Sequence, residues 1–219
     1  RIEICNIMPG MRGGVIPIIG PIVGRVSFLA AVIPAAAAVM VPNPSYAHTG
    51  SVTGGFLGGL IHPVLGPDHV LAMVAVGLWG AVLGAPALYM LPIAFPLMMA
   101  VGGVLGIAAI AVPGSEVGIA LSAVVLGLMV MLAARPPFWV AALVVVAFAI
   151  FHGYAHGAEI PPGSDAVAYS AGFVVATGLL HLAGIGLGLL SSWPIGAMAV
   201  RGAGAIIAGA GFFFLLRLA

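Results

Sequence analysis

The sequence predicts an all-α protein, a polytopic helical bundle built for a membrane, and three observations carry that expectation. Of 219 residues, 63% are hydrophobic and 5% charged, with a mean hydropathy of +1.30, so too few polar side chains exist to cover a water-soluble domain. The apolar runs are close to the ~20 residues that an α-helix needs to cross ~30 Å of hydrocarbon. They are continuous rather than alternating, which argues against a membrane β-barrel.

The first run, 26–41, follows Arg25 and precedes Pro42-Asn-Pro-Ser-Tyr-Ala47. A basic flank, a short apolar core and a small-x-small end (Ser45, Ala47) read as a secretory signal peptide cleaved after Ala47. The competing reading is an uncleaved first span, only slightly short of the required length. The expected organisation is a leader and signal peptide over 1–47 and a single transmembrane domain over 48–219, with no linker long enough to divide it. Six spans are expected, near 58–83, 87–111, 117–134, 138–157, 167–190 and 195–216. With the mature N-terminus outside, Arg135 and Arg201 fall on the cytoplasmic side and Glu116, Glu159 and Asp165 outside, in agreement with the positive-inside bias; only Arg217 is misplaced. Trp79, Trp139 and Trp193 fall near span ends, where interfacial tryptophans are expected. Met73, Met98, Met99, Met129 and Met131 read as lipid- or core-facing filler. Many of the 33 glycines lie within the spans as small-residue stripes that let helix backbones approach closely.

Composition also excludes functions. There is no lysine and a formal charge of +1, so neither a basic nucleic-acid surface nor a P-loop for ATP hydrolysis exists. The single cysteine, Cys5, rules out an intramolecular disulfide and thiolate-rich zinc sites. Ser191-Ser192-Trp193 is not the Gly-x-Ser-Gly of an intramembrane serine protease, and the histidines are too few for a membrane di-iron oxidase. The chain is expected not to be an enzyme.

Chemistry concentrates in two strings, His62-Pro-Val-Leu-Gly-Pro-Asp68-His69 and Phe151-His152-Gly-Tyr-Ala-His156-Gly-Ala-Glu159, which hold four of six histidines and two of five acidic residues. Ionisable groups inside a membrane are costly and are by default candidates for function. Imidazole with carboxylate, and no thiolate, is the ligand set of a borderline divalent transition metal. His152, His156 and Glu159 are spaced to share one helix face. His62 and His69, seven apart, are roughly in phase, but Pro63 and Pro67 interrupt the helix and free backbone carbonyls of the kind that line transporter cavities. The first span runs inward and the fourth outward, so both strings are expected in the outer half of the membrane, converging on one point. The alternative is a structural His–Asp network. His181, deeper in the fifth span, is either a packing residue or a further station inward. His48, freed at the mature N-terminus, would add an α-amine, a backbone nitrogen and an imidazole as a capture ligand, or is a remnant of the cleavage site.

The two strings resemble the HupE/UreJ family of hydrogenase and urease accessory membrane proteins, regarded as nickel and sometimes cobalt permeases. That family is marked by His-x5-Asp-His in its first span and Phe-His-Gly-x-Ala/Val-His-Gly-x-Glu in its fourth, and both are matched throughout. The resemblance implies a secondary transporter for Ni²⁺ or Co²⁺, with His62, Asp68, His69, His152, His156 and Glu159 as its metal residues. The metal would be cargo rather than a permanently bound cofactor. A bacterial inner (cytoplasmic) membrane location is expected, with a membrane or metalloenzyme-maturation protein as partner. A non-transporting accessory subunit of a membrane complex is the competing function.

Overall fold

The computed structural model describes residues 55–160 and 163–218, and every regular element among them is helical. In chain order these are α1 (Phe56–Leu65), α2 (Pro67–Leu83), α3 (Ala87–Ile107), α4 (Ser115–Met131), α5 (Phe138–Ala158), α6 (Ala166–Gly188) and α7 (Pro194–Leu218), with a 3-10 turn at Leu189–Ser192 before α7. The expected leader, its cleavage site and His48 lie outside the described residues. Helices α3, α5, α6 with its 3-10 extension, and α7 are each long and apolar enough to cross a bilayer. Together α1 and α2 make a fifth candidate, while α4, at 17 residues, is shorter. The described residues therefore carry four to five candidate spans, and the expected six depend on α4.

The largest departure from the sequence expectation is in the first span. Instead of one helix over 58–83, α1 and α2 meet at an angle of 87°. Pro63 sits inside α1 and Pro67 opens α2. Each lacks an N–H, so the ladder is weakest between them. Gly66 turns the corner in extended conformation (φ −91°, ψ 105°). The chain restarts at once because proline is tolerated at the first helical position, where its N–H has no partner, and Asp68 in the first turn favours the positive end of the helix dipole. By contrast, α6 starts on a side-chain cap, with Asp165 Oδ1 accepting from the backbone N–H groups of Val167 and Ala168 at 3.0 and 3.1 Å.

Helix α2 occupies the centre, buried along most of Ala72–Val82 and packed against α3, α4 and α6. Trp79 belongs to this core rather than to an interfacial belt. It is fully buried, and its indole N–H donates to the Ala134 carbonyl at 2.9 Å, tying α2 to the end of the α4 segment. Trp139 and Trp193 are exposed as expected. Trp79→Phe should cost about 1 kcal/mol for the lost hydrogen bond, read as a lower melting temperature of the detergent-purified protein. Arg201 makes a second tie, donating from Nε to the Met131 carbonyl at 2.8 Å and so satisfying a carbonyl at the end of α4.

Apolar helices gain little from meeting each other in lipid, so close backbone packing must hold them together. Glycines supply it. Gly102 and Gly106 of α3 meet α5 at Ile150–Tyr154 and Tyr154–Ala158, and Gly153 and Gly157 of α5 meet α3 at Met99 and Gly103. The matching order shows that α3 and α5 run parallel, with α4 returning between them. Gly77 of α2 and Gly184 of α6 cross in the same parallel sense, while Gly127 of α4 and Gly204 of α7 meet antiparallel. These crossings set the height of each histidine in the bundle.

Candidate metal centre

The break at Gly66 and the last two turns of α5 come together at one end of the bundle. The His156 ring lies 5.0 Å from that of His62 and 4.4 Å from that of His69, while His69 lies 5.0 Å from His152. Two groups of three potential ligands result, His69/His152/His156 and His62/His156/Glu159, each with its ligand atoms within 4.8 Å of one another. Donors sharing one ion at ~2.1 Å stand no more than ~4.2 Å apart, so small side-chain movements would close either group on a metal. His156 belongs to both. His62 and His69 reach it because the chain bends between them, not because they share a helix face.

The hydrogen bonds leave the right nitrogens free. The Asp68 carboxylate accepts from His69, whose Nδ1 stands 2.8 Å from Oδ1, and from the His69 backbone N–H at 3.0 Å. His69 Nε2 is left buried and without a hydrogen bond. Ser122 donates its single hydroxyl proton to the Ile119 carbonyl at 2.6 Å. Its 2.9 Å contact with His152 Nε2 must therefore have the imidazole N–H donating to Oγ. That places the lone pair on His152 Nδ1, which has no hydrogen bond. Neither ring nitrogen of His156 has one. Each of the three imidazoles thus has an unpartnered ring nitrogen, and in two of them the other nitrogen is held by an oxygen acceptor, as is usual for metal-ligating histidines.

Burial grades along the cluster. The side chains of Glu159 and His62, 3.4 Å apart, are 39% and 21% exposed, whereas the His156 and His152 residues are 6% and 0% exposed. Glu159 caps the C-terminus of α5, at the mouth of the arrangement. Of the sequence-predicted residues, five supply donors to the two groups and Asp68 stands behind His69. His181 is not in either group; its ring meets Phe95, which in turn meets His152. Sequence reasoning missed Ser122, a hydroxyl in the middle of an apolar helix whose facing cannot be read from composition. It also missed Phe173 and Tyr169, which wall His62 and, for Phe173, His156.

A family model described as HupE / UreJ protein matches residues 36–214. The chain belongs to the HupE/UreJ family. The protein HupE of Rhizobium leguminosarum bv. viciae is 47% identical to it over 180 residues, which is 82% of this chain and 94% of that protein. No solved structure matches. As a HupE/UreJ protein with several apolar membrane-length helices, it is a multi-pass membrane protein, and the histidines of its two polar strings lie together at one end of its bundle.

Proposed function

We propose that the protein is a permease for a divalent transition metal, Ni²⁺ or Co²⁺, acting in the bacterial inner membrane and not as an enzyme. The observation that carries this reading is the pair of three-donor groups sharing His156. His62 and Glu159 capture the ion at the exposed side. His156 passes it to His69 and His152, while Asp68 orients His69. Nitrogen and carboxylate donors without thiolate suit these ions, and several overlapping partial sites favour entry with release. With no lysine in the chain, no P-loop powers the step, and an ion gradient or a separate partner supplies the energy. The nickel supply to hydrogenase or urease implied by the resemblance gives such a metal its destination.

Nickel accumulation in cells expressing wild type or His62→Ala tests this reading. Accumulation should fall to the level of cells without the protein, at unchanged membrane abundance. Equal accumulation would favour the accessory-subunit reading. A second expectation concerns Ser122→Ala, which removes the acceptor that fixes the His152 tautomer. Loss of such a supporting bond typically costs about 10–100-fold in metal affinity, and equilibrium dialysis of the purified protein against Ni²⁺ would measure it.

A further inference from the structure

We propose that His181 and Thr177 form a second metal station, deeper in the bundle and divided from the outer cluster by the ring of Phe95; this rests on the permease reading above. Both residues lie on α6, four apart and therefore stacked on one face. Gly77 of the parallel helix α2 packs against the His181 backbone, and Gly77 lies eight residues, or about 12 Å, beyond His69 along α2. The Phe95 ring bridges the gap, with its centroid 5.6 Å from that of His152 and 5.3 Å from that of His181.

The unused polar atoms here point to a ligand. His181 is 1% and Thr177 0% exposed, yet Thr177 Oγ1 and at least one His181 ring nitrogen have no hydrogen-bond partner. Buried polar atoms without partners are uncommon and costly, and a membrane core could have filled the same space with leucine and valine. The Pro92 carbonyl of α3 stands ready to orient the imidazole. Pro96 has no N–H to offer the carbonyl four residues before it, so the Pro92 carbonyl is released from the helix ladder and is free to accept from one His181 ring nitrogen, leaving the other for a ligand. That imidazole nitrogen and the Thr177 hydroxyl are nitrogen and oxygen donors of the class that takes a borderline divalent cation. The set has one imidazole where the outer cluster has three or more, so it holds the ion more weakly and favours onward release.

The test uses the full chain, purified and reconstituted in proteoliposomes, with Ni²⁺ as probe. Initial uptake rates and equilibrium Ni²⁺ binding are measured for wild type, His181→Leu, Thr177→Val and Thr177→Ser. The station predicts that His181→Leu slows uptake by about tenfold or more with the affinity of the outer cluster within about twofold of wild type. It also predicts that Thr177→Val slows uptake while Thr177→Ser, which keeps the hydroxyl, restores it. Uptake by His181→Leu within about twofold of wild type overturns the proposal, and so does a parallel loss of uptake and outer binding, which marks a packing residue. If His181→Leu does not fold, the threonine pair decides, with equal rates for Val and Ser overturning the proposal. A wild type that binds Ni²⁺ but does not move it contradicts the permease reading itself, a result separate from failure of the inner station alone.

Discussion

Replacing His156 by Ala should abolish nickel uptake and weaken Ni²⁺ binding more than replacing any other single histidine in the cluster. His156 is the one side chain common to both three-donor groups, so its removal leaves each with two ligands. Changes that merely disturb a ligand's supporting bond cost about 10–100-fold in affinity, and removing a shared ligand should exceed the upper figure. Fold should survive. The ring is buried with both nitrogens lacking hydrogen bonds, so Ala removes no hydrogen bond, and a small neutral residue is inexpensive in a membrane. Radiolabelled nickel uptake normalised to membrane abundance reads the effect. Loss of protein in step with uptake would instead make His156 a structural residue.

Gly153→Val should destroy the fold around the site, and its contrast with Gly209→Ala is diagnostic. A Cβ at Gly153 would overlap the Met99 carbonyl oxygen and its backbone neighbours, which cannot rotate aside as a flexible side chain can. Overpacking in a well-filled core costs about 1–3 kcal/mol even where side chains can adjust, and here two helix backbones must separate. The residues on either side of Gly153 along α5 carry the cluster, with His152 adjacent and His156 one turn on. Separation of α3 from α5 therefore displaces two ligands. Membrane abundance and metal binding should fall together. Gly209 has nothing within contact range of an added Cβ, so Gly209→Ala should leave both unchanged.

How much of this was legible in the sequence depended on whether the signal was local. The face shared by His152, His156 and Glu159 followed from 3.6-residue periodicity in an uninterrupted helix, and α5 runs to Ala158 with Glu159 as its cap. For His62 and His69 the same periodicity carried less weight, because Pro63 and Pro67 interrupt the helix. The two prolines were visible, but the bend of 87° at Gly66 is a tertiary outcome, set by how α1 packs on α6 through Gly59 and Gly172. The convergence of the two strings came from counting spans and their directions, and the parallel run of α3 with α5 agrees with that count. Asp68 was read among the metal residues from its chemistry, and its carboxylate lies against His69 Nδ1. Trp79 looked interfacial from its place near a span end, yet α2 is the central helix and buries it. In a chain whose helices are apolar on every side, sequence marks where a helix lies but not which face meets a neighbour. Ser122 and Phe95 were hidden for that reason.

The central claim is that imidazoles from the broken first span and from α5 jointly hold one divalent metal. X-ray absorption at the nickel edge of the purified, Ni²⁺-loaded protein tests it most directly. The account predicts a first shell of nitrogen and oxygen only, with the outer-shell scattering of several imidazoles, and a weakening of that imidazole signature in both His69→Ala and His156→Ala. A shell containing sulfur, or a wild-type spectrum retained in either variant, would contradict it.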